Sequence, residues 1–497
     1  MDQSKTANNL SFKQRKGCFL QRWVLVLLAA VAICCVLLVG LLVGYLTPCG
    51  SSPRSEAQVE NKEVARKELP YVLLPKSIIP EHYDVELQPF ILPGNFTFNG
   101  KVRVQIRVLE ETDNVTLHIN NITVNEASIR LSGVDAPGIA KTSEDLERQF
   151  YILHLKGKLR TGQSYEVYME FLGCLNDQLA GFYRSSYKDE EGQTRWLATT
   201  QFQATDARRA FPCFDEPALK ATFNITIVHW ANMTSLSNMP IYKTERRDNI
   251  WTADYFETTV RMSTYLLAFI VSDFKSRSTP EFSVWSREAV LNTSTYALEV
   301  GPKILKFYES FFNVKYPLPK TDMVAIPDFN AGAMENWGLI TYRETALLYD
   351  PRYSSASNKQ RVIVVISHEL AHQWFGNLVT PKWWDDLWLN EGFASYVEYL
   401  GVNAVHPDWM MDQQFVLEDL QDVMDLDCLK TSHPISIPVR HPDEINEIFD
   451  RISYEKGASI IRMMKYFLGD KDFGTGLTNY LNAKKFDNAV QDDLWAH

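Results

Sequence analysis

Along the first half of the chain, apolar positions recur every second residue. Residues 101–108, Lys-Val-Arg-Val-Gln-Ile-Arg-Val, alternate without a break, and residues 115–119, 165–171 and 221–228 repeat the pattern. A period of two, with turn residues between the runs, predicts strands that each bury one face. An all-β domain, an antiparallel sandwich or saddle, is expected over residues 71–275. From about residue 276 the period lengthens: residues 303–314 read as an amphipathic helix stopped by Tyr316-Pro-Leu-Pro319, and residues 322–326 and 338–345 read as strands. Helices then dominate, among them residues 407–425 with proline in the first turn. Residues 276–497 are therefore expected to be a mixed α+β domain in a multi-domain chain. Its last segment, residues 490–497, begins an amphipathic helix behind a cap at Asp487 or Asn488 and stops after two turns. This is the expectation for a truncated chain or isoform whose C-terminal part is incomplete.

One stretch follows neither period. Residues 23–46 are uninterruptedly apolar and long enough to span a bilayer as a helix. Lys5, Lys13, Arg15, Lys16 and Arg22 precede it against Asp2, so residues 1–22 are expected to stay cytoplasmic and the body outside. The apolar core is too long for a cleaved signal peptide. Residues 47–70 are polar and aperiodic, an expected stalk. The reading is a single-pass type II protein of the plasma membrane with an extracellular body. Six glycosylation acceptor sequences, at Asn95, Asn114, Asn121, Asn224, Asn232 and Asn292, lie beyond the anchor and fit it.

Length and composition add little. At 497 residues the chain suggests two or three domains, and a net charge of −11 without charged blocks argues against nucleic acid as partner. The seven cysteines give no disulfide framework. Cys49, just past the apolar segment, could bridge two chains into a homodimer or be a free thiol, and Cys18 could be palmitoylated.

The chemistry is concentrated in Ser367-His368-Glu369-Leu370-Ala371-His372-Gln373-Trp374 and in Asn390-Glu391-Gly392, with eighteen residues between His372 and Glu391. Histidines four apart lie about 40° apart around a helix, so both imidazoles can share one metal ion with Glu369 beside it. Residues 361–376 are apolar enough for a buried helix, with caps offered by residues 354–357 and a stop at Gly376. Unpaired polar groups in a core cost kilocalories, and a bound cation accounts for all three side chains. Glu391 arrives as a third ligand, and His368, His372 and Glu391 would leave one open position on a zinc ion, one per chain. Glu369 is then free to act as general base. Asp385 or Asp386 could orient a ligand histidine, or form a solvated turn.

Further motifs surround these. Gly332-Ala333-Met334-Glu335-Asn336, the HELAH segment, WLNEGFASY containing Glu391, and Tyr454-Glu-Lys-Gly-Ala458 occur in this order, with AGFYRS at Ala180, TDARRAFPCFDEPALKATF at Thr205 and MSTYLLAFIVSDF at Met262. Together they resemble the membrane aminopeptidase N family of zinc exopeptidases, from about residue 69 to the end. The resemblance implies a thermolysin-like catalytic domain and a family that continues into a small β-sandwich and a large helical domain. It also implies peptide substrates with a free N-terminus. Tyr454 would stabilise the oxyanion, and Glu335 of the Gly-Ala-Met-Glu-Asn loop would pair with the substrate ammonium, helped by Gln203. Gly332 and Ala333 would offer backbone groups to an extended peptide, Met334 an adaptable wall, and Asn336 completes the substrate-binding loop. Relatives that prefer acidic first residues carry aspartate where this chain has Gln201, so neutral first residues are expected. A zinc endopeptidase also fits the metal motif but leaves Glu335 without a role, and a non-catalytic truncated surface receptor or binding ectodomain is the alternative from another class.

Overall fold

A computed structural model describes residues 72–497. The expectations for the anchor, tail and stalk, and for Cys18 and Cys49, lie outside the described residues. Among the described residues no helix is long and apolar enough to cross a membrane.

The alternating segments form sheets. Strand Thr97–Val108 buries Phe98, Gly100, Val102, Val104, Ile106 and Val108 and turns the residues between them outward, as a half-buried strand requires. It lies in an eight-stranded sheet between Ile78–Pro89 and Ser164–Cys174. This sheet departs from the antiparallel expectation, because Ile78–Pro89 and Thr222–Trp230 run parallel. No hairpin joins these two strands, so connection length does not dictate their direction. A three-stranded sheet (Thr112–His118, Phe150–Leu159, Ile139–Asp145) and a four-stranded sheet (Thr234–Ser237, Phe269–Ser272, Thr194–Gln201, Gly181–Lys188) complete the β-rich half.

The second half is built on a five-stranded sheet, ordered Lys275–Ser278, Phe282–Ser286, Thr321–Ile326, Leu339–Arg343, Ala333–Met334, with helices against it. The mixed α+β architecture thus stands. Several bounds differ from expectation. The helix expected at 303–314 is Thr295–Phe312, ended by Asn313 in a left-handed conformation at φ 51°. Leu339–Arg343 stops two residues early because Glu344–Leu347 turns into a helix. Residues 407–425 are not one helix. Pro407–Trp409 is a 3-10 turn, Met410 breaks the chain direction at φ 55°, and a π-helical turn at Val416–Leu420 separates the helices Met411–Phe415 and Gln421–Asp427. At the end of the chain Asp487–Ala489 pairs in parallel with Val379–Pro381, so neither Asp487 nor Asn488 is a cap. The terminal helix Gln491–Trp495 is capped instead by the Asp493 carboxylate, which accepts from the Val490 N–H at 3.0 Å.

Two long helices meet at the site. The motif helix Ala356–Ala371 starts at Ser355, whose hydroxyl accepts from the Asn358 N–H while the Asn358 side chain accepts from Ser355 N–H. Its cap lies within residues 354–357, where the sequence offered one, but it ends before Gly376, leaving residues 372–378 as a turn. The second, Trp388–Val405, is buried along nearly its whole length. It crosses Gly457–Leu468 at a glycine pair, where a Cβ on Gly392 would lie 2.8 Å from the Gly457 Cα and one on Gly457 2.9 Å from the Gly392 Cα. This contact brings the chain near Tyr454 against the chain near Glu391. Gly457→Ala should therefore overpack the crossing and cost about 1–3 kcal/mol. Urea unfolding of the variant against the parent checks this, and an unchanged midpoint would contradict the close contact.

Candidate metal centre and surrounding cleft

His368 and His372 project from the end of the motif helix, and Glu391 from the first turn of the helix Trp388–Val405. The two Nε2 atoms lie 3.0 Å apart, and Glu391 Oε2 is 3.5 Å from His368 Nε2 and 3.2 Å from His372 Nε2. The environment fixes which nitrogen carries a proton. His372 Nδ1 faces the Phe375 carbonyl at 2.9 Å, and His368 Nδ1 faces a Glu398 carboxylate oxygen at 2.6 Å. Both partners are acceptors, so each Nδ1 donates and each neutral imidazole turns an Nε2 lone pair inward. Two lone pairs and a carboxylate oxygen converging in a buried place repel one another unless a cation sits between them. The donor set therefore fits a metal ion, and these are the residues placed to hold one.

The protonation tendencies report the same demand. Burial pulls the His372 imidazole down, but Glu335 and Glu391 outweigh it and push it up to about 9. His368 is likewise raised, against the effect of burial, by hydrogen bonds to Glu391 and Glu398. Burial would raise Glu391, yet the two imidazoles hold it down at about 2. The cluster attracts positive charge, which a metal ion would supply in place of protons.

A cleft of about 600 Å³ opens over the three groups, lined also by Gln203, Ala333, Glu335, Glu369, Phe449 and Tyr454. Glu369 is buried, and one of its carboxylate oxygens has no protein partner. Burial pushes its carboxyl up to about 8, against the opposing pull of His368 and His372. Tyr454 sits in the π-helical turn Ile452–Lys456, its ring parallel to His368 with centroids 6.0 Å apart. Burial, then the carboxylates Glu391, Glu335 and Glu369, raise its hydroxyl well above the ordinary tyrosine range, so it stays a donor.

Glu335 lies just past the edge strand Ala333–Met334, and its Oε1 accepts from Gln203 Nε2 at 3.2 Å. The family resemblance implied that these two residues act together, and their side chains do meet. Others in that loop are placed differently. The Gly332 carbonyl already accepts from the Arg343 N–H at 2.9 Å. Met334 is buried with its sulfur 3.4 Å from Gln201 Nε2, and Asn336 is fully buried with its amide donating to Thr341 Oγ1 at 3.1 Å. Neither Met334 nor Asn336 is among the residues lining the cleft.

Asp385 and Asp386 do not orient a histidine. The Asp386 carboxylate accepts from Ser436 Oγ and from the Gln491 N–H. Glu398 takes that part on His368, and it was missed. The available signal was its position seven residues after Glu391, two helical turns on, which puts both carboxylates on one face.

A helix bearing paired histidines, a distant glutamate and an adjacent unligated carboxylate defines the class of metallohydrolase centres. Comparison with known proteins agrees with that class. Residues 79–266 match the Peptidase M1 N-terminal domain, and residues 296–497 the Peptidase family M1 domain. The chain is 48% identical over 446 residues to aminopeptidase N of Bos taurus, which covers 85% of this chain and 46% of that protein. It is 47% identical over 445 residues to aminopeptidase Ey of Gallus gallus (85% and 46%) and 44% identical over 463 residues to glutamyl aminopeptidase of Bos taurus (91% and 48%). The chain spans about half the length of the curated relatives it matches. It belongs to peptidase family M1, in its aminopeptidase N group.

Glu398→Gln should weaken metal affinity about 10- to 100-fold, the usual cost of losing the group that orients a ligand imidazole, whereas Asp386→Asn should leave it unchanged. Competition with a chelator measures both, and equal effects would contradict the assignment.

Proposed function

We propose that this chain carries the catalytic machinery of a zinc-dependent aminopeptidase, which hydrolyses the first peptide bond of peptides with a free and neutral amino-terminal residue. The observation that carries the reading is that Glu335 and the three candidate ligands line one cleft. A buried carboxylate beside a metal-held carbonyl is a counter-charge for a substrate ammonium, and it selects the front end of a peptide. An endopeptidase has no use for such a group, and would have to pass a neutral amide across it.

Zinc held by His368, His372 and Glu391 would polarise the scissile carbonyl and lower the pKa of a water molecule. The chain's own groups do the rest. Glu335 and Gln203 hold the amino group and fix the register of the peptide. Glu369, beside the candidate ligands and with one carboxylate oxygen free of protein partners, accepts a proton from the attacking water and passes it to the departing amine. Tyr454, kept protonated, donates to the developing oxyanion. Ala333, in the edge strand of its sheet, offers main-chain groups to the incoming peptide. Gln201, a neutral amide lining the cleft, supports neutral first residues.

The proposal includes anchoring through residues 23–46 with the body outside the cell. In support, none of the six acceptor asparagines is buried: Asn95, Asn121, Asn232 and Asn292 are exposed, and Asn114 and Asn224 half-buried.

The test is turnover of an aminoacyl anilide by the purified full chain, with zinc quantified and the N-acetylated anilide as comparison. Turnover confined to the free amine is expected. Cleavage of blocked peptides at internal bonds would overturn the reading, and a zinc-free inert protein would favour a binding ectodomain. Glu369→Gln should abolish turnover while keeping zinc. Glu335→Ala should cost about 2–4 kcal/mol in kcat/KM for all substrates alike, and an unchanged rate would remove Glu335 from amine recognition.

A further inference from the structure

The Glu335 side chain has a partner in Gln203, but its main chain is held from elsewhere. The Glu335 carbonyl accepts from Asn377 Nδ2 at 2.8 Å and from Gln373 Nε2 at 3.3 Å. Both amides are 0% exposed. Their orientation is not ambiguous, because a carbonyl oxygen can only accept. Both belong to the turn after the motif helix. In the same turn Phe375 supplies the carbonyl that fixes His372, and the Asn377 N–H donates to the His372 carbonyl at 3.1 Å. Residues 372–377 thus hold one end of the cleft through a ligand imidazole and the other end through the loop that carries Glu335.

We infer that Asn377, with Gln373 in support, is a positioning residue that sets the separation between the metal centre and the Glu335 carboxylate. The inference rests on the aminopeptidase reading and goes beyond it. That reading names the group that binds the amine, and this one names what keeps it one residue's length from the metal. The need is physical. Main-chain bonds tie the neighbours of Glu335 to other elements: Met334 pairs with Thr341, and the Trp337 N–H donates to the Leu266 carbonyl at 3.3 Å. The Glu335 peptide itself is referred to the metal helix by these amides. A carboxylate displaced by about an ångström would pair poorly with an ammonium whose carbonyl is already held.

The experiment compares two metal-binding probes by calorimetry on the zinc-loaded full chain: leucine hydroxamate and its des-amino counterpart, 4-methylpentanohydroxamic acid. The second binds the metal and the apolar wall but has no amine. The parent chain should prefer the amino compound by about tenfold or more, the size of a charge-assisted hydrogen bond. Asn377→Leu, close in volume and without a donor, should bring that preference to within about threefold. Zinc should remain at one per chain, and des-amino binding should be unchanged. Gln373→Met should show the same selective loss at smaller size, and decides the matter alone if Asn377→Leu does not fold. A full preference retained in the variants would overturn the inference, as would equal weakening of both probes or loss of zinc, which would mark the amides as general supports. A parent chain with no amine preference would remove the aminopeptidase reading and the inference with it.

Discussion

The half of the chain that carries the motif helix is arranged around two imidazole lone pairs and one carboxylate oxygen forced into a space where they repel one another. The cost of that convergence is met elsewhere. His368 is oriented by Glu398, His372 by the Phe375 carbonyl, and Glu391 by its place in the first turn of a helix buried along nearly its whole length. The two imidazoles cannot turn away from that point without losing a hydrogen bond, and Glu391 is held by the backbone of its helix. A helix crossing at Gly392 and Gly457 then brings Tyr454 over the same point. A site of this kind is strained without its cation and satisfied with it, and folding and metal binding are expected to be linked.

The other half of the chain takes part in the cleft itself. Gln203 follows a strand of the four-stranded sheet and donates to Glu335. In the strand Gly181–Lys188, Ser185 Oγ and the Ser186 N–H donate to the Asp328 carboxylate at 3.0 and 2.9 Å, and the Tyr183 hydroxyl donates to its carbonyl. The Tyr265 hydroxyl donates to the Gly376 carbonyl at 2.9 Å, in the turn after the motif helix. In the proposed enzyme the metal is a property of the helical half, and amine recognition is a property of both halves together. The helical half alone would keep the three metal-facing groups and lose the reference points of the Glu335 carboxylate.

Much of this was legible in the sequence, and the rest was hidden for identifiable physical causes. Strict alternation at 101–108 exposed its strand, because one face of it is solvated. The parallel pairing of Ile78–Pro89 with Thr222–Trp230 was not visible, since periodicity carries no information on which distant strand lies alongside. The break at Met410 was missed because nothing in that residue type announces a left-handed conformation. His368, Glu369, His372 and Glu391 stood out through spacing. Glu398 did not, because a glutamate in a helix is ordinarily a surface residue, and Asp385 and Asp386 were more conspicuous. Asn336 belongs to a conspicuous motif yet packs on Thr341, so a motif marks a loop without telling which of its side chains face the cleft.

The most direct measurement is X-ray absorption at the zinc edge on the purified full chain. The account predicts one zinc per chain with a shell of only nitrogen and oxygen at about 2.0–2.2 Å, containing two imidazoles and losing one of them in His372→Ala. A sulfur scatterer near 2.3 Å, a shell unaltered by His372→Ala, or a chain that retains no zinc would contradict it.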